Sequence, residues 1–259
     1  MCTKFKISTL IFLLVLAGVK LSAQDYDQDS VLNVVLLKKK FSAGILLHNL
    51  GIGVQFRKGK NITYYKSFFW EVQGVSMKSP KQIRTINPYY NDARSFVYGK
   101  LNHVYILRGG IGFDRMLNRK PAWGGVEIRY LYSGGFSLGI AKPIYLYIID
   151  QSGSGINAEL LKEKYDPDKH FIDNIYGRAP FMLGVNKIRV YPGIYGKFGL
   201  NFEFGIYNSR IKALEFGAIV DLYPIGIPVM AFQEPRNFFL TLYLSFSIGR
   251  RYNRAGDLD

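Results

Sequence analysis

Cysteine is almost missing from this chain: Cys2 is the only one among 259 residues. It precedes the first apolar run, so it cannot serve as a lipoprotein anchor, and a single thiol builds no disulfide framework. Histidine is nearly as scarce, with His48, His103 and His170 the whole supply. Acidic residues number 19 against 34 Lys and Arg. Long apolar runs are missing as well, apart from residues 7–19, and that run is shorter than the roughly 20 residues a membrane-spanning helix requires. These shortages argue against thiol chemistry, against a Cys/His metal centre and against a helical membrane bundle. No cofactor and no metal is expected.

The one apolar run has its own reading. Lys4 and Lys6 precede it, and Lys20 with the small pair Ser22-Ala23 follows. That is the order of a secretory leader with cleavage after Ala23. The expected organisation is a signal peptide at 1–23, a periplasmic N-terminal segment at 24–40, a barrel at 41–253 and a short tail at 254–259. Loss of Lys4, Lys6 and Lys20 lowers the formal charge from +15 to +12. A basic exported chain meets anionic lipid headgroups before it meets nucleic acid, so lipid is the expected partner and nucleic acid is not.

What the chain has in quantity is 19 Tyr, 19 Phe and 27 Gly, arranged with a period of two. Phe238, Leu240, Leu242, Leu244, Phe246 and Ile248 alternate with Phe239, Thr241, Tyr243, Ser245 and Ser247, which gives one apolar and one mostly polar face. The same alternation runs through 62–77, 98–113, 187–205 and 209–223. A soluble sandwich would show it too, with the apolar face inside. The leader, aromatic residues near strand ends and strand lengths above the 9–11 or so residues of a tilted crossing favour the membrane. The fold class expected is all-β: a transmembrane antiparallel up-and-down β-barrel of about eight strands, at 41–57, 62–77, 98–113, 124–133, 136–149, 187–205, 209–223 and 237–251. Pro192 fits a strand only near its end or at a bulge. Lys142 would face lipid, which a bulge or a hairpin at Lys142-Pro143 would relieve. With the N-terminus periplasmic, parity puts 58–61, 114–123, 150–186 and 224–236 outside and 78–97, 134–135 and 206–208 inside.

On the inward phase stand Glu71, Arg108, Glu127, Arg129, Lys197, Glu203, Glu215 and Asp221. An eight-stranded barrel is only wide enough for side chains to fill it, so these charges are expected to pair into a plug rather than line a polar conduction path. The three histidines show no Ser, Asp or Asn neighbourhood suited to catalysis, and no catalytic residue is expected. Asp166, Asp168, His170 and Asp173 lack the spacing of a calcium loop and read as a solvated one. Gly109-Gly110-Ile111-Gly112 lies within a strand pattern and is not followed by a helix, so it is no phosphate loop. Segment 78–97 is too long for a turn and carries Arg84, Tyr89, Tyr90 and Arg94, side chains that anchor interfaces, so it is the expected partner-docking element, with a loop packing under the barrel as the alternative.

On its alternating strands and its closing strand from Phe238 to Tyr252, the chain resembles the small outer-membrane β-barrels of Gram-negative bacteria, in the broad OmpA/OmpX-like sense. The stretch Asn87-Pro88-Tyr89-Tyr90-Asn91-Asp92-Ala93 with Gly99-Lys100-Leu101-Asn102, then Val126-Glu127-Ile128-Arg129-Tyr130 and Ser133-Gly134-Gly135, is similar to a group of exported barrels without an established activity. The resemblance implies an outer-membrane location. The expected function is a non-enzymatic barrel acting as a structural or accessory subunit of an envelope protein assembly, docked through 78–97 to a periplasmic or membrane-embedded partner. The alternative is a narrow outer-membrane channel for small solutes or ions.

Overall fold

A computed structural model describes residues 38–90, 92–119, 125–150, 159–205 and 209–252. The expected leader at 1–23 and tail at 254–259 lie outside them. Thirteen strands occur among the described residues: β1 (Lys39–His48), β2 (Gly51–Asn61), β3 (Lys66–Met77), β4 (Arg84–Thr85), β5 (Phe96–Val97), β6 (Asn102–Asn118), β7 (Val126–Pro143), β8 (Tyr145–Asp150), β9 (Glu159–Lys164), β10 (Ile175–Arg178), β11 (Arg189–Phe204), β12 (Arg210–Ile227) and β13 (Arg236–Tyr252). Eight of them close into an antiparallel barrel in the order β1-β13-β12-β11-β7-β6-β3-β2. Closure is by β1 on β13, from Lys39↔Tyr252 to His48↔Tyr243.

The polarity is that of an outer-membrane barrel, apolar outside and polar within. Ile45, Leu47, Ile52, Val54, Phe136, Phe198, Leu242 and Ile248 are among the large apolar side chains left exposed on the outer wall. Exposure of that kind around a whole wall is stable in lipid and not in water. Aromatic residues gather on the outside toward one end: Phe68 lies opposite Phe113, which lies opposite Tyr132, which lies opposite Phe198. Such rows mark a membrane–water boundary.

Eight barrel strands are present, as the sequence pattern predicts, but three of the expected ones are cut differently. The expected strand 41–57 is a hairpin, because the chain reverses at Asn49-Leu50 between β1 and β2. The His48 ring accepts the Leu50 N–H at its Nδ1 (3.2 Å), and Leu50 turns into the lumen. Conversely, the expected strands 124–133 and 136–149 are one, since Ser133-Gly134-Gly135 sits in the middle of β7. At Lys142-Pro143 there is neither bulge nor hairpin. The barrel strand ends there, and β8 joins β9 and β10 in a separate three-stranded sheet. Pro192 lies in β11 where the ladder to β12 has not yet begun, so one flank has no partner to lose.

The extra hairpin changes which end each connection occupies. Lys39 and Tyr252 share one end with Asn61, Lys66, Asn118, Val126, Phe204 and Arg210, whereas His48, Gly51, Met77, Asn102, Pro143, Arg189, Ile227 and Arg236 share the other. The described residues of segment 78–97 are therefore at the end opposite the one that strand parity assigns them, and 58–61 and 114–119 move the other way, the rest of 114–123 lying outside the described residues.

Candidate functional site

Every second residue of each barrel strand points into the lumen, and the polar ones gather into three groups. In the middle, Arg57 bridges Glu215 (3.0 Å) and Glu71 (3.1 Å), and Lys197 bridges the same two carboxylates at 2.8 and 3.3 Å. Tyr243 and Tyr195 donate their hydroxyls to Glu215 (2.8 Å) and Glu71 (3.2 Å). Farther from the termini, Arg108 is fully buried and grips Asp221 through Nε (2.8 Å) and Nη2 (2.7 Å), the fork geometry that fits a carboxylate best. Nearer the termini, Arg251 holds Glu203 at 2.7 and 2.6 Å, Arg129 holds Asp114 (3.0 Å) and Glu127, and Lys40 holds Asp114.

All eight lumen residues read from the alternation thus stand in ion pairs. The alternation as read missed Lys40, Arg57, Asp114 and Arg251. With them the lumen holds six cations against six anions among the described residues. Arg57 was lost by treating 41–57 as one strand, and Asp114 by ending a strand at 113. Around the Lys40 and Arg251 group lies a cavity of about 30 Å³, on the order of one or two waters. At the other end the lumen turns apolar: Leu46, Met77, Ile106, Tyr223, Ile227 and Phe239 belong to one buried cluster.

Beyond that apolar layer, 78–90 and 92–101 fold together with 144–150 and 159–188 into a cap. Phe96 packs with Leu146, Ile148, Tyr165 and Ile175. Asn87, 1% exposed, stitches the two segments together: its Nδ2 donates to the carbonyls of Ile172 (3.0 Å), Asp173 (3.2 Å) and Ile175 (2.8 Å). The 166–173 loop is ordered around a buried His170. Its Nδ1 accepts the Asp166 N–H (3.0 Å), which leaves Nε2 as the donor to Glu163 at 3.1 Å.

The four residues expected to dock a partner do not act as a set. Tyr89 is exposed and Tyr90 packs edge-on against Tyr176 (5.9 Å). Arg84 and Arg94 line a cleft of about 800 Å³ where the cap overhangs the ends of β3, β6 and β7. Lys100 and Lys142 line it too, each only 5% exposed. The Lys100 ammonium donates to Gln82 Oε1 (3.1 Å), and the Lys142 ammonium lies 4.0 Å from the centre of the Phe181 ring.

Burial, and then the charges of Lys78 and Arg84, push the Lys100 ammonium down to about 8 from an ordinary 10.5. A lysine whose folded value lies below its unfolded one costs stability in full below pH 8. That cost fades as the pH rises from about 8 toward 10.5, because both states then lose the proton. Lys100→Met should therefore raise the temperature at which the barrel loses its compact gel migration at pH 7, by about 2–4 °C per kcal/mol relieved in a chain of this size. Near pH 10.5 the difference should vanish. An equal gain at both pH values would assign the effect to packing instead.

No protein-family model and no curated protein matches the sequence. Among solved structures, the chain is similar to Ail, the attachment invasion locus protein of Yersinia pestis, crystallised with the heparin analogue sucrose octasulfate. Identity is 9%, covering 84% of this chain and all of Ail, with a TM-score of 0.40. It is also similar to Neisserial surface protein A at 10% identity, covering 83% of this chain and 95% of that one, with a TM-score of 0.36. At these values the likeness is one of barrel form alone.

Proposed function

We propose that this protein is a shut, non-enzymatic outer-membrane barrel that presents its loop cap, outside the cell, to another envelope protein as an accessory subunit of an assembly. The orientation follows from connection length: barrels of this kind keep short turns in the periplasm and long loops outside, and the long segments here lie opposite the termini. This replaces the expectation of a periplasmic dock through 78–97 with one on the outer face.

The observation that carries the reading is apolar exposure on an ordered cap. Asn87 holds 86–89 against 171–173, and there Ile86, Tyr89, Phe171 and Ile172 are 58, 72, 55 and 40% exposed. Large apolar side chains gathered on a polar rim are the composition of an interface core. The paired lumen supports the other half of the proposal, since six cations matched by six anions in a lumen of eight strands leave little room for ions.

Two measurements test it. In planar bilayers the purified protein should give no stable single-channel current, and a steady conductance would replace the shut barrel with the narrow channel. From cells, wild type extracted in mild detergent should carry an envelope protein that Ile86→Ser/Tyr89→Ser/Ile172→Ser loses while its barrel stays compact on gels. The same companions with both proteins would overturn the docking role.

A further inference from the structure

The charges of the rim cleft are unlike those of the lumen. Six cations line it, Lys78, Arg84, Arg94, Lys100, Lys142 and Arg178, with His103 beside them and no Asp or Glu among the described lining residues. None of the six forms a salt bridge among the described residues. A chain that supplies a carboxylate for each of its lumen cations supplies none among the described residues here, where Lys100 and Lys142 are each only 5% exposed. Cations gathered around one cleft repel one another, and the burial of Lys100 and Lys142 removes water that would screen them. An anion brought from outside would relieve both costs.

Position narrows what that anion is. His103 lies opposite Lys142 across β6 and β7, and Ser76 opposite Tyr105 across β3 and β6. These residues share the outward phase of the wall, with exposed Leu107 below them. The cleft therefore lies outside the barrel, at the level where the lipid-facing wall meets the cap. Its remaining lining is largely apolar, including Phe96, Ile144, Leu146 and Leu183, and the 179–183 segment over it leaves Phe181 and Met182 at 55 and 75% exposure. A soluble anion needs no such apolar surround, whereas a headgroup with chains beneath it does.

We propose that this cleft holds the phosphorylated headgroup of a membrane lipid, its phosphate oxygens taken by Lys100 and Lys142 within and by the arginines Arg84, Arg94 and Arg178 at the edge. Arg and Lys bind phosphate through short charge-assisted hydrogen bonds. The inference rests on the wall being lipid-facing, but not on the cap having a protein partner or on the lumen being shut.

The test uses the full chain in phosphatidylcholine nanodiscs, with a minor fraction of phosphatidic acid as the probe, and reads the lipid retained by native mass spectrometry. Wild type should retain phosphatidic acid over phosphatidylcholine by about tenfold or more, as charge-assisted contacts imply. Lys100→Gln/Lys142→Gln should lose that preference. Lys58→Gln/Lys60→Gln, which removes the same charge from exposed positions at the opposite end, should keep it. Should the buried pair prevent folding, Arg84→Gln/Arg94→Gln, both exposed, should lower the preference with the barrel intact. Equal losses at the two ends, or none at the cleft, would overturn the proposal. So would inorganic pyrophosphate binding the detergent-free nanodisc and displacing phosphatidic acid completely, for that would make it a soluble-phosphate site.

Discussion

Glu215→Ala should destabilise the folded barrel by about 3–5 kcal/mol, read from equilibrium urea unfolding in lipid vesicles. Glu215 is fully buried and receives Arg57, Lys197 and the Tyr243 hydroxyl. Removing it leaves two cations sharing Glu71 alone, in a lumen too narrow to rehydrate them. The size of the loss depends on dryness. In a water-filled pore the same contacts would be screened, and deleting one partner would cost about 0–1 kcal/mol.

The second variant in the series separates charge from packing. Glu215→Ala/Lys197→Met removes one anion and one cation and leaves Arg57 with Glu71, so it should be clearly more stable than Glu215→Ala alone, even though it deletes more groups. Replacing a buried pair with apolar side chains is often neutral, whereas breaking it is not. A single variant within about 1 kcal/mol of wild type would indicate a wet lumen, and would argue for the channel independently of any current measurement.

The inward set was legible in the sequence because alternation is a local property. Each of Glu71, Arg108, Glu127, Arg129, Lys197, Glu203, Glu215 and Asp221 keeps its phase within its own strand, whatever happens elsewhere. The ends of the strands were not legible in that way. Asn49-Leu50 carries none of the glycine that usually marks a two-residue turn, and what stabilises it is a side-chain contact from His48. Ser133-Gly134-Gly135 has turn composition but extended geometry. One missed turn and one false turn cancel in the strand count and still reverse the end assigned to everything between them, which is how 78–97 was misplaced. The cleft had a sequence signal of its own in Lys142, a lysine on the lipid-facing phase. That it marks a site rather than a bulge depends on Lys100 and Arg178, which only the folded cap brings near.

The two glycines of Ser133-Gly134-Gly135 should respond unequally to substitution. In a hairpin turn both would be needed for backbone freedom. Neither has a positive φ here, and in β7 they face opposite sides of the wall. Gly135 points inward and lies across from Gly110. A Cβ there would run into the Gly109 carbonyl and come within 2.5 Å of the Gly110 Cα, and neither is a side chain that can rotate away. On the facing strand a Cβ at Gly110 would come within 2.5 Å of the Tyr195 hydroxyl, the group that donates to Glu71. At Gly134 the nearest atom is the Tyr195 carbonyl at 3.4 Å, an ordinary contact. Gly135→Ala should therefore cost about 1–3 kcal/mol or more by forcing β6 and β7 apart, while Gly134→Ala should fall within about 0.5 kcal/mol of wild type. Equal losses at the two positions in urea unfolding would restore the turn, and with it the original ends of the barrel. Unequal ones place the crowding beside Tyr195, where missing side chains let two backbones close around the lumen network.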